Sequence, residues 1–93
     1  MIRTFADRQT AELYETGRAK RFPAEIWSGA LRRLQYLDSA AYVEDLKNPP
    51  SNRLHRLEQD RAGQYSISVN MQWRICFRFI DGDAYDVEVT DYH

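Results

Sequence analysis

The apolar positions of this chain change period midway along its length. From residue 24 to 38, Ile26, Trp27, Ala30, Leu31, Leu34 and Leu37 recur every three or four residues. That is the spacing of one buried helix face, and Arg32, Arg33 and Gln35 fall elsewhere on the wheel. Pro23 suits the first turn of this helix, which is expected to end between Asp38 and Ala41. A shorter helix is predicted over Arg8 to Thr16. Asp7 is its N-cap, Ala11, Leu13 and Tyr14 are its apolar content, and Gly17 is its stop. Ile2 to Phe5 reads as a short first strand, Arg18 to Arg21 as a basic loop, and Tyr42 to Leu46 as one further turn. Asn48-Pro49-Pro50 then imposes an extended break.

Beyond residue 63 the period becomes two. Tyr65, Ile67 and Val69 alternate with Gln64, Ser66 and Ser68. Trp73, Ile75, Phe77 and Phe79 alternate with Arg74, Cys76, Arg78 and Ile80, and Tyr85, Val87 and Val89 with Asp86, Glu88 and Thr90. Asn70-Met71-Gln72 makes one connection. Asp81-Gly82, which tolerates positive φ, makes the second as a tight hairpin. The expectation is an antiparallel meander of three strands, with a further strand around Leu54 to Leu57 preceding it. Its apolar face receives the long helix, and Arg74 and Arg78 stand on the other. Helices first and a meander afterwards predict a two-layer α+β fold, read as a single domain over residues 1–93.

Composition narrows the class. The chain has 93 residues, 43% hydrophobic and 29% charged, with six Tyr, four Phe and two Trp, which suits one modest core and not disorder. No segment approaches the roughly 20 apolar residues that cross a bilayer. Met1-Ile2-Arg3-Thr4-Phe5 lacks a signal peptide's apolar stretch. The single Cys76 excludes an internal disulfide framework. No membrane association and a cytoplasmic location are the expectations. The formal net charge of −1 hides a split: residues 1–80 hold all 13 Lys and Arg but only nine of the 14 acids. Asp81, Asp83, Asp86, Glu88 and Asp91 form an acidic tail. Either these acids line a solvated strand, or a basic groove survives beside one acidic edge.

Two chemistries are open to such a chain. His55, His93 and Cys76 are the only soft or imidazole ligands, but they lack a recognised metal spacing, and Cys76 among large apolar neighbours reads as a buried structural thiol. No phosphate-binding loop, dinucleotide fingerprint or zinc-protease motif is present, so neither a metal nor a cofactor is called for. RNA cleavage by internal attack needs a base for the 2′-hydroxyl, cations for the charged transition state and an acid for the leaving oxygen. His55 and His93 can move protons near neutral pH. Arg56, Arg61, Arg74 and Arg78 can meet phosphates, Tyr92 can stack on a base, and Asp91 can orient a histidine. Each residue also has an ordinary reading. His55 can be a half-buried strand residue, His93 a frayed end, and the arginines solvated positions on sheet and loop.

A resemblance separates these readings. Met1-Ile2-Arg3-Thr4-Phe5, Leu54-His55-Arg56-Leu57, Asp60-Arg61-Ala62-Gly63, Tyr65-Ser66-Ile67 to Asn70, Gln72-Trp73-Arg74-Ile75, Gly82-Asp83-Ala84-Tyr85 and Asp91-Tyr92-His93 occur in an order and spacing that resemble the HigB branch of the RelE/ParE toxin superfamily. The resemblance implies a RelE/ParE-like fold and a metal-independent, ribosome-dependent mRNA interferase with its site on the concave sheet face. It implies catalytic positions at His55, Arg74, Asp91, Tyr92 and His93, with RNA contacts from Arg56, Arg61 and Arg78. In those terms His93 or Asp91 is the base, His55 the acid, Arg74 the transition-state clamp and Tyr92 a stacking or orienting group. The implied partners are a HigA-like helix-turn-helix antitoxin, the 70S ribosome with its mRNA, and operator DNA only through the antitoxin complex. Arg18, Lys20 and Arg21 are a candidate patch for antitoxin or ribosomal RNA. Glu58 departs from relatives that carry Lys there, and a carboxylate near phosphate weakens attraction. Two alternatives share the residues: a ParE-like gyrase inhibitor and a non-enzymatic RNA- or protein-binding module.

Overall fold

A computed structural model describes residues 1–91. Helix α1 (Arg8–Thr16) begins where Asp7 Oδ1 accepts from the Thr10 amide at 2.6 Å. It ends at Gly17, whose φ of 79° lets its N–H reach the Leu13 carbonyl, a left-handed cap that costs glycine nothing sterically. Helix α2 (Ala24–Ser39) buries Ile26, Ala30, Leu34 and Leu37 along one stripe. The Trp27 indole N–H donates to the carbonyls of Ala19 (3.0 Å) and Phe22 (2.9 Å). This folds the basic loop back so that Ala19 and Phe22 are buried while Arg18, Lys20 and Arg21 stay in water. The further turn is a 3-10 helix, Val43–Lys47. The break that follows is extended only at Asn48 and Pro49. Pro50–Asn52 tightens into another 3-10 turn, held by the Asn52 amide donating to Leu46 O and Asn48 O.

The sheet is a four-stranded antiparallel meander in chain order: β1 (His55–Arg56), β2 (Tyr65–Ser68), β3 (Trp73–Ile80) and β4 (Asp83–Asp91). Ile67, Ile75, Phe77, Val87 and Val89 form its covered face and share one core with Leu13, Ala30, Leu34 and Leu37 of the helices. Full burial of each such side chain stabilises by about 1.5–3 kcal/mol. The register sets the other face. His55, Ser66, Cys76 and Glu88 lie in one row across the strands, and Ser68, Arg74 and Thr90 in the next.

Two expectations need correction. Tyr85 does not share a face with Val87 and Val89. A bulge sets Asp86 and Val87 opposite the single Phe77, with Asp86 at φ 53°. An extra residue reverses the side-chain alternation, so Ala84 enters the core and Tyr85 pairs with Arg78 on the open face. Nor do Ile2 to Phe5 form a strand. The bulge interrupts their ladder, leaving isolated parallel bridges at Ile2–Ala84 and Phe5–Val87. Between these bridges the Thr4 hydroxyl accepts from the Asp86 amide at 2.8 Å. Further along β4 the buried Thr10 hydroxyl accepts from the Val89 amide at 3.0 Å, so the outer edge of β4 is covered where an open edge would invite pairing.

Candidate active site on the open sheet face

His55 reaches the open face because β1 pairs it with Ser66. Arg74, on β3, turns its guanidinium along the sheet to the same serine. Its Nε donates to Ser66 Oγ at 2.9 Å and its Nη2 to the Arg53 carbonyl at 3.3 Å. Arg53, Leu54, His55 and Arg74 together line a cleft of about 320 Å³. An imidazole beside a guanidinium fixed by two acceptors supplies a proton-transfer group and a planar cation for phosphate. Arg53 carries no site signal of its own in the sequence. Its φ of 48° turns the chain after the proline break, placing its carbonyl under Arg74. Nothing in the local pattern signals that placement.

Cys76, in the same row as His55 and Ser66, is buried and unoxidised. Burial pushes its thiol above the ordinary range; Arg61 and Arg74 oppose that rise and Glu88 adds to it. Those charges belong to groups around the same row. Arg61 Nη2 meets Glu88 Oε1 at 3.1 Å, and its Nη1 meets Gln64 Oε1 at 3.1 Å. Arg78 Nε lies 3.4 Å from Asp86 Oδ2, and Asp83 receives Arg3 and the N-terminal amine. The acidic tail is therefore neither a separate edge nor wholly solvated, because β4 lays three of its acids against basic groups of the body. These half-exposed pairs contribute about 0–1 kcal/mol each to stability. Their larger consequence is that Arg61 and Arg78 already face carboxylates.

The remaining site candidates lie elsewhere or outside the described residues. Arg56 pairs with Tyr65, on the face opposite His55. Its guanidinium carbon sits 5.7 Å from the Tyr65 ring centroid, in a cleft shared with Leu57 and Glu58. Glu58 does not line the His55–Arg74 cleft. Asp91 pairs with Trp73, accepts from Gln72 Nε2 at 3.1 Å, and borders a cleft with Arg21 and Phe22. Tyr92 and His93 lie outside the described residues. Among the described residues, no three His, Cys, Asp or Glu side chains converge as metal ligands, and no helix is long and apolar enough to cross a membrane.

Comparison with known proteins gives a consistent result. The family described as the RelE-like toxin of type II toxin-antitoxin system HigB matches residues 3–93. The chain is 40% identical over 93 residues to a protein named Endoribonuclease HigB from Proteus vulgaris, covering 100% of both chains. It is 38% identical over 85 residues to Toxin HigB-1 of Vibrio cholerae serotype O1, covering 90% of each. Among solved structures, a chain of the YoeB-YefM complex from Staphylococcus aureus superposes with a TM-score of 0.63 at 15% identity, covering 100% of this chain and 98% of that one. This last likeness bears on the fold: two helices on a four-stranded antiparallel sheet.

Proposed function

Since this chain belongs to the HigB-like toxins of type II toxin-antitoxin systems, we propose that it is an endoribonuclease that cleaves translated mRNA on the ribosome and thereby restrains growth. The observation that carries the chemistry is the pairing of His55 with Arg74 in one cleft of the open face. The family and the names of its relatives support the activity; the cleft supports its location.

The reaction runs by internal attack. A base takes the proton of the ribose 2′-hydroxyl, and the 2′-oxygen bonds to the adjacent phosphorus; the family resemblance assigns this role to His93 or Asp91, of which Asp91 lies outside the cleft that His55 and Arg74 line. The phosphorus–5′-oxygen bond breaks, and His55 gives its proton to that leaving oxygen. The products are a 2′,3′-cyclic phosphate and a 5′-hydroxyl. Arg74 stabilises the extra charge at phosphorus, and its two acceptors hold its plane in place before substrate arrives. Tyr92 stacks on or orients a base. Arg61 and Arg78 contribute to RNA binding only as far as phosphate competes with Glu88 and Asp86.

As a toxin of such a system the chain has an antitoxin partner. We read this partner as a HigA-like helix-turn-helix protein, through which the complex reaches operator DNA. A near-neutral chain has little of the phosphate neutralisation that drives free-RNA affinity, which supports a need for the ribosome to present the message. The combined His55→Ala and His93→Ala change is expected to abolish cleavage on purified ribosomes and relieve growth arrest, with circular dichroism unchanged. Growth arrest that survives it, together with inhibited supercoiling by gyrase, would favour the gyrase alternative.

A further inference from the structure

A larger cleft among the described residues does not coincide with the His55–Arg74 pair but runs on from it. About 510 Å³ in volume, it is lined by Arg33, Ser51, Arg53, Ser68, Val69, Asn70, Met71 and Arg74, sharing Arg53 and Arg74 with the smaller cleft. Three arginines from three elements converge on it: α2, the loop after Pro50–Asn52, and β3. Arg33 is not a loose surface cation. Its Nε donates to Ser68 O at 2.6 Å and its Nη1 to Gly29 O at 3.2 Å, anchoring the guanidinium at the mouth of the cleft. Among the described residues neither Arg33 nor Arg53 pairs with a carboxylate, in contrast to Arg3, Arg61 and Arg78. Asn70 Oδ1 accepts from the amides of Gln72 and Trp73 at 2.8 and 2.7 Å, fixing the turn. That turn holds out Met71, which is 90% exposed.

We propose that this cleft is a subsite for the single-stranded message next to the scissile phosphate: Arg33 and Arg53 hold a flanking phosphate, and Met71 with Val69 receives a nucleobase. The proposal rests on the reading of His55 and Arg74 as the cleavage site, because continuity with that cleft defines what flanks it. The anchored Arg33 guanidinium and that of Arg53, neither facing a carboxylate among the described residues, suit a polyanion. The exposed Met71 thioether and the half-buried Val69 isopropyl group beside them suit the flat apolar face of a base. Where β4 lays carboxylates against Arg61 and Arg78, none of the described residues sets one against Arg33 or Arg53, so a basic groove survives here.

Met71 allows a test without disturbing the fold, because its side chain is almost wholly in water. A short fluorescent RNA with deoxyribose at the cleavage position binds without being cut, and its anisotropy at low salt reports affinity for the strand alone. Met71→Asp is expected to weaken binding about three- to tenfold and Met71→Lys to tighten it by a similar factor. Arg33→Gln with Arg53→Gln should lower the dependence of log affinity on log salt by up to about 0.7 per lost phosphate contact. On programmed ribosomes the same changes should act mainly on KM. Equal affinities for both Met71 variants and the parent would overturn the proposal, as would undetectable binding by the parent. So would effects that appear only with ribosomes, which would assign the cleft to ribosomal RNA. Cleavage by His55→Ala is the separate control: if it persists while the Met71 pair behaves as expected, the catalytic reading fails and the RNA subsite stands.

Discussion

Thr10 links the helical layer to the strand that leads to Asp91, and its replacement tests how β4 is held. The residue is fully buried, and its hydroxyl accepts from the Val89 amide at 3.0 Å. Thr10→Val keeps the shape and a similar helix propensity but removes the acceptor. A buried N–H left without a partner costs about 1–3 kcal/mol, or roughly 4–8 °C in Tm per kcal/mol for a domain of this size. Thr10→Ser keeps the acceptor and loses one methyl, costing about 0.8 kcal/mol. Urea denaturation of both variants gives the comparison. Amide hydrogen exchange then locates the effect, since Val89 should lose protection in Thr10→Val and keep it in Thr10→Ser. The reasoning fails if Thr10→Val is no less stable than Thr10→Ser, or if Val89 exchanges at the parental rate in both.

Three further outcomes follow from charge and burial around the sheet. Glu88→Gln should release Arg61, raising kcat/KM on programmed ribosomes about two- to fivefold at a stability cost of at most about 1 kcal/mol; a fall in kcat/KM with intact folding would contradict the charge argument. Glu58→Lys, at a position outside the His55–Arg74 cleft, should preserve or raise cleavage, and a large loss in the same assay would reject this. Because burial raises the Cys76 thiol, its thiolate fraction at pH 8 falls below that of a free cysteine. Ellman's reagent should therefore react with it slowly until urea unfolds the chain, and rapid reaction in the folded state would count against that burial.

Both helices, the caps of α1 and the meander were legible because each follows from local rules. Asp7, Gly17, the three-to-four spacing of α2 and the Asp81-Gly82 turn act over a few residues, whatever the rest of the chain does. His55 and Arg74 were singled out as site candidates by resemblance to a family and by the chemistry of their residue types. Their common cleft was not, because a two-residue strand has no period of its own to set its register. Arg33 illustrates the limit most directly. On a helical wheel it is a polar residue away from the buried stripe, and only the packing of α2 beside the β2–β3 turn brings it to the Ser68 carbonyl.

The sequence by itself determined which segments are helix and strand and which residue types are available for RNA chemistry, since caps, turns and periodicity are properties of neighbours in the chain. The tertiary structure decided how charge and side chains are distributed over the open face. One inserted residue at the Asp86 bulge reversed the alternation of β4 and exchanged Ala84 for Tyr85 in the core. The antiparallel register then laid Glu88 and Asp86 against Arg61 and Arg78, and among the described residues it set no carboxylate against Arg33 or Arg53 at the other end. Those outcomes depend on contacts between residues tens of positions apart, and a pattern of neighbours contains no information about which distant charge a folded strand will meet.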